Sequence, residues 1–287
     1  MAVYKQTFTR YTGLLTPQNT RFLILPRYAF PQVFESRLFT TLFFATFLIP
    51  LVAALLIYLH HNVEALRAFR IPLLALLPIN ARFFLTVMGF QSTAAFIISV
   101  LVGPGLISPD LNNNALPLYL SRPFTRKDYI LGKLSVLLIL LSAITWVPGS
   151  LLFFFQAGLE GFEWTGDHLR ILAAILAGSW LWIVTISLLA LALSAWVKLK
   201  PMAGALLFGV FFAGAAFGGA TNAILHTNWG WLFNLGVMVD SVFNWLFLGI
   251  VPRDLVPAWS AFASLLGVCV SSLCLLVWKV RVYEVVR

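Results

Sequence analysis

Charge is what this 287-residue chain has least of: Asp, Glu, Lys and Arg make up 10% of it, against 61% hydrophobic residues. A soluble domain carries about 25% charged residues. The shortage excludes a soluble enzyme and a disordered chain. Cysteine is equally scarce. Cys269 and Cys274 sit five apart in one apolar run and on different helix faces, which supports neither a disulfide nor a metal site. The four histidines, His60, His61, His168 and His226, are scattered over three connections and read as interfacial or solvated side chains. A nucleotide-binding P-loop is also missing, since Gly132-Lys133 is followed by Leu134 and lacks the earlier glycine.

What the chain does have is long apolar runs. A membrane-crossing helix needs about 20 mostly apolar residues, and six segments qualify: 38–59, 83–102, 134–155, 171–196, 202–220 and 258–278. The first is read as a retained span rather than a signal peptide, because it starts late and no small-residue cleavage site follows it. Pro50 and Pro148 lie inside the first and third spans and predict kinks. An even number of spans puts both termini on one side. The formal charge of +9 then indicates orientation, not nucleic acid. If the termini are cytoplasmic, 14 of the 19 Lys and Arg residues are too, while Arg67, Arg70, Arg82, Arg170 and Arg253 stay outside. Six acids, Glu64, Glu160, Glu163, Asp167, Asp240 and Asp254, are placed outside by the same assignment. The expected fold is therefore an all-α integral membrane protein with six transmembrane helices and both termini cytoplasmic. Residues 1–37 form a cytoplasmic segment and 38–287 the transmembrane domain.

Two connections carry more than turns. The external stretch 221–257 is too apolar for a loop, yet Asp240 and Asn244 interrupt it. It reads as a re-entrant or surface-lying helix pair anchored by Trp229, Trp231 and Trp245. Another apolar patch follows the first span at 71–79. On the opposite side, 103–133 begins with Pro104, Gly105 and Pro109, which predict the end of the second span. Asp110 is then expected to cap a short helix carrying Leu111, Ala115, Leu118 and Tyr119. Pro123 closes it, and Thr125 with Asp128 forms a capping-box pattern that opens the third span. Apolar and aromatic on one side and basic at its end, through Arg122, Arg126, Lys127 and Lys133, this element looks like a docking surface for a soluble partner.

The spans themselves hold no charge at their centres. Ion-coupled carriers need intramembrane carboxylates or histidines, and membrane hydrolases need a nucleophile–base pair or a metal cluster; neither is visible. Mild polarity remains at Gln91, Ser92 and Thr93, at Ser142 and Thr145, and at Thr185 and Ser187. These groups either hydrogen-bond between helices or, for Gln91, Ser92 and Thr93, line a passage. Gly214 and Gly218 form a small-xxx-small pair in a glycine-rich fifth span, which suits packing within the subunit or a dimer or gating surface.

The residues at 105–133 (Gly-Leu-Ile-Ser-x-Asp, then Leu-Tyr-Leu-Ser-Arg-Pro, then Arg126, Tyr129 and Gly132-Lys133) resemble the membrane subunit of type-2 ABC exporters. The similarity extends over nearly the whole chain: an amphipathic cytoplasmic N-terminus, six spans, an external helical hairpin before the last, and a short basic tail. It implies a permease of the cell membrane without its own catalytic site, paired with a second permease copy or homologue. ATP and Mg would be bound by a separate ABC ATPase subunit. By position in the family, Leu118, Tyr119, Arg122, Pro123 and Phe124 would contact that ATPase, with Asp110 and Arg126 shaping the contact. The segment 31–37, with Pro31 at a helix start, resembles the family's surface-lying connecting helix. Asn112-Asn113-Asn114 has no counterpart in the pattern. The competing readings are a secondary carrier or channel, a membrane anchor that recruits a cytoplasmic protein, and, last, an intramembrane enzyme.

Overall fold

The computed structural model describes residues 17–62, 78–116, 119 and 124–281. A 3-10 turn at Gln18–Leu23 leads into α1 (Ile24–Phe34), followed by α2 (Arg37–Ala45), α3 (Leu48–His61) and α4 (Ala81–Asn112). Next come α5 (Arg126–Ile144), α6 (Trp146–Glu160), the short α7 (Phe162–Asp167) and α8 (Leu169–Trp196). After α9 (Lys200–Leu225), a 3-10 turn at Trp229–Phe233 precedes α10 (Leu235–Leu248) and α11 (Ala258–Arg281). Six segments are long and apolar enough to cross a membrane: Arg37–His61, Ala81–Asn112, Arg126–Glu160, Leu169–Trp196, Lys200–Leu225 and Ala258–Val280. They coincide with the six apolar runs of the sequence. Three of these segments, α4, α5 with α6, and α8, make the core, and α8 packs on α4, α5, α6, α9, α10 and α11.

Both proline kinks occur, one turn before the proline. The first span breaks at Thr46 and Phe47, four and three residues ahead of Pro50, which has no N–H to give to the preceding turn. The Thr46 hydroxyl turns back to the Phe43 carbonyl at 2.6 Å. The third span breaks at Thr145, three residues ahead of Pro148, and the Thr145 hydroxyl bonds the Leu141 carbonyl at 2.7 Å.

Pro104 and Pro109 do not end the second span, contrary to expectation; α4 continues to Asn112. Ser194 of α8 ties this part of the helix down: its hydroxyl accepts from the Ser108 N–H at 3.0 Å and donates to the Pro104 carbonyl at 3.1 Å. The Ser108 hydroxyl returns a bond to the Ser194 carbonyl at 3.0 Å. The asparagine run supplies the stop instead. Asn114 has φ +50° in the left-handed region, Ala115 N–H reaches the Asp110 carbonyl at 2.8 Å and Asn114 N–H the Leu111 carbonyl at 3.4 Å. That pair of bonds is a Schellman ending.

Two further corrections concern short elements. Pro31 lies inside α1, whose first residue is Ile24, so the N-terminal helix is longer and begins earlier than the proline suggests. The stretch 221–257 is not a helix pair: its first part extends α9 to Leu225, a 3-10 turn follows, and only α10 is a full helix. Asn234 caps α10 by accepting from Gly236 N–H at 3.0 Å and Val237 N–H at 3.3 Å. Arg170 closes its other end on the Trp245 and Leu246 carbonyls, at 2.7 and 2.9 Å, where a cation suits the helix dipole.

Candidate functional site

The 103–133 connection is built around one largely covered carboxylate. Asp110 does not cap a new helix; it sits in the last turn of α4 and points to α5. Its Oδ2 lies 2.8 Å from Lys133 Nζ and accepts from the Tyr129 hydroxyl at 2.8 Å. Lys133 Nζ is also 5.6 Å from the centre of the Tyr129 ring. Tyr129 is fully buried, and the Tyr119 ring packs 5.7 Å from it. Burial first, then the Asp110 carboxylate, push the Tyr119 phenol above its ordinary value. Lys133 and Tyr129 are two turns and one turn into α5, so one network ties the end of the second span to the start of the third.

The start of α5 is set by the expected capping box. Asp128 N–H donates to the Thr125 hydroxyl at 3.2 Å, and Thr125 N–H donates back to the Asp128 carboxylate at 2.9 Å. Gly132 then admits the N-terminal helix. A Cβ there would stand 2.6 Å from Leu25 Cδ1 and 2.8 Å from the Phe22 carbonyl oxygen. Of the residues assigned to docking, Asp110, Tyr119, Phe124 and Arg126 are described; Leu118, Arg122 and Pro123 lie outside the described residues. Phe124 packs at the edge of the hydrophobic core.

The candidate pathway residues separate. Gln91 is fully buried, and neither end of its amide has a hydrogen-bond partner among the described residues. Ser92 and Thr93 line a cavity of about 220 Å³ together with Gly89, Phe96, Trp182, Phe211, Gly236, Val239 and Asp240. Trp182 is held there by its indole N–H on the Ser92 carbonyl at 3.0 Å. At 1.5 Å per residue, Ser92 is about 16 Å along α4, Trp182 about 20 Å along α8 and Phe211 about 16 Å along α9. The cavity thus lies near the middle of helices long enough to cross a bilayer. α10 packs against all three and places Asp240, with its side chain exposed, among the residues that line the cavity. Its one signal in the sequence is a lone acid in an apolar stretch too short to span.

Gly214 and Gly218 pack inside the chain. A Cβ at Gly214 would collide with the Phe233 carbonyl, and one at Gly218 with the Gly230 carbonyl, so the pair seats the 3-10 turn against α9. Among the described residues no three His, Cys, Asp or Glu side chains gather as a metal-binding group. Thr185 Oγ1 is 3.2 Å from Cys269 Sγ, and both cysteines are free thiols. The patch at 71–79 falls almost wholly outside the described residues. Comparison with protein-family models and with curated proteins gives no match. What is established is an all-helical protein with six candidate membrane spans.

Proposed function

We propose that the chain is the permease subunit of a type-2 ABC exporter in the cell membrane, with both termini in the cytoplasm. ATP hydrolysis in a separate ATPase subunit, docked on 103–133, drives it. The observation that carries this reading is the Asp110–Lys133–Tyr129 network, which joins the surface connection to two core helices at once. A docking surface that must move spans needs such a rigid root. The N-terminal helix seated on Gly132 adds a third element to it. ATP and Mg belong to the partner, this chain has no catalytic residues of its own, and the less buried spans α2 with α3, α9 and α11 supply faces for lipid and for a second permease copy.

The test is purification of the tagged chain from its native membrane with its associated proteins. An ATPase should accompany it, and its activity should depend on this chain. Reversing charge at Arg122 and Arg126 should reduce its recovery at least several-fold; undiminished recovery would rule out docking at this element. One observation favours a secondary carrier as the second reading. Asp240 is a carboxylate in one cavity with Ser92 and Thr93, and ion-coupled carriers use such groups as relays. Gradient-driven uptake by the purified chain in vesicles, without any ATPase, would select the carrier.

A further inference from the structure

The cavity between α4, α8, α9 and α10 combines two kinds of wall. Phe96, Trp182 and Phe211 contribute aromatic surface, with the Phe96 and Phe211 ring centres 4.3 Å apart and Trp182 6.5 Å from Phe211. Asp240 contributes the only titratable side chain among the lining residues; those from α4, α8 and α9, and the rest from α10, are neutral. Its carboxylate makes no hydrogen bond or ion pair among the described residues, and the neighbouring Asn244 amide binds the Asp240 backbone carbonyl instead. The Asp240 side chain is exposed, so its charge is open to an approaching ligand. By contrast, Asp110, a largely covered carboxylate, has both a cation and a hydroxyl.

Aromatic faces attract cations through the ring quadrupole, most strongly where water is excluded, and they suit alkylated ammonium groups. A carboxylate beside them supplies the opposing charge. Ser92 and Thr93 add hydroxyls, although Thr93 already donates to the Gly89 carbonyl at 3.1 Å. We propose that this cavity binds an organic cation, a small ammonium or guanidinium group, through Asp240 and the rings of Phe96, Trp182 and Phe211. The cavity volume of about 220 Å³ admits a charged head group, and a longer molecule leaves its tail outside. The inference rests on reading Ser92 and Thr93 as pathway lining, and makes the cargo of the proposed exporter cationic.

Radiolabelled choline, titrated onto the full-length chain in maltoside micelles with any co-purifying subunits retained, tests it. Saturable binding is expected, at least tenfold weaker in Asp240→Asn and kept within threefold in Asp240→Glu. The uncharged carbon isostere of choline should compete at least tenfold less well than choline itself. Absence of saturable binding, equal affinity in Asp240→Asn, or equal competition by the isostere overturns the proposal. Displacement by sodium at lower concentrations than by choline also overturns it, in favour of an inorganic ion. Should Asp240→Asn fail to fold, Phe211→Leu reads the same cavity: a loss of threefold or more is expected, and unchanged affinity counts against the site. An ATPase that co-purifies with a chain unable to bind choline removes this inference and spares the exporter reading. Choline binding without any ATPase does the reverse.

Discussion

Asp110 and Asp240 are both carboxylates set among apolar helices, and they are treated in opposite ways: the first is largely covered and the second exposed. Asp110 has Lys133 and Tyr129 within 2.8 Å, and its side chain is 15% exposed. Asp240 lines a cavity with no cation facing it. A buried charge that is fully paired costs a great deal to disturb and has nothing left to offer a ligand. An unpaired one contributes little to the fold and keeps its charge for something else. The difference separates a joint from a receptor.

The sharpest way to break the comparison is Lys133→Met. It leaves the Asp110 charge uncompensated and should destabilise the protein by about 3–5 kcal/mol, read as loss of the folded peak on heating in micelles. The double variant Asp110→Leu with Lys133→Met should recover most of that loss; a double variant as unstable as the single one would mean the pair is not what holds the joint. Gly132→Val is next. Its side chain meets Leu25 and the Phe22 carbonyl, for about 1–3 kcal/mol of overpacking. Limited proteolysis should cut α1 faster in that variant, and unchanged cleavage would show that α1 is not seated there. Thr125→Ala removes the capping box at the start of α5 and should cost about 1 kcal/mol in the same thermal measurement. Asp240→Asn comes last, with a change in stability within about 0.5 kcal/mol. A large loss there would reveal a structural partner and erase the contrast.

Features set by neighbours along the chain were legible in the sequence. Apolar runs gave the six spans, Pro50 and Pro148 gave the breaks at Thr46–Phe47 and Thr145, and Thr125-x-x-Asp128 gave the cap. Features set by partners far along the chain were not. Pro104 and Pro109 sit inside α4, where the Ser194 hydroxyl of α8 bonds the Ser108 N–H and the Pro104 carbonyl. Asp110 looks like a cap until Lys133 is found across the joint. Asp240 reads as part of a connection because its stretch is too short to span, and only the packing of α10 against α4, α8 and α9 sets it in one cavity with Ser92, Thr93 and Trp182. One of the three candidate pathway residues parts from the others: Ser92 and Thr93 line the cavity, while Gln91, one position earlier on the helix, is buried.

The hydroxyl of Ser194 fastens one end of α4 sideways. The helix is continuous from Ala81 and carries Ser92 and Thr93 on its backbone ladder. Its stretch from Gly105 to Asn112 is tied to α8 through Ser108 and to α5 through Asp110. This end of α4 thus shares its fastenings with two neighbouring helices, and a force applied at 103–133 spreads into α5 and α8 as well as along α4. The cavity is gripped from α4 and α8 together, so it would be worked like tongs rather than pushed like a piston.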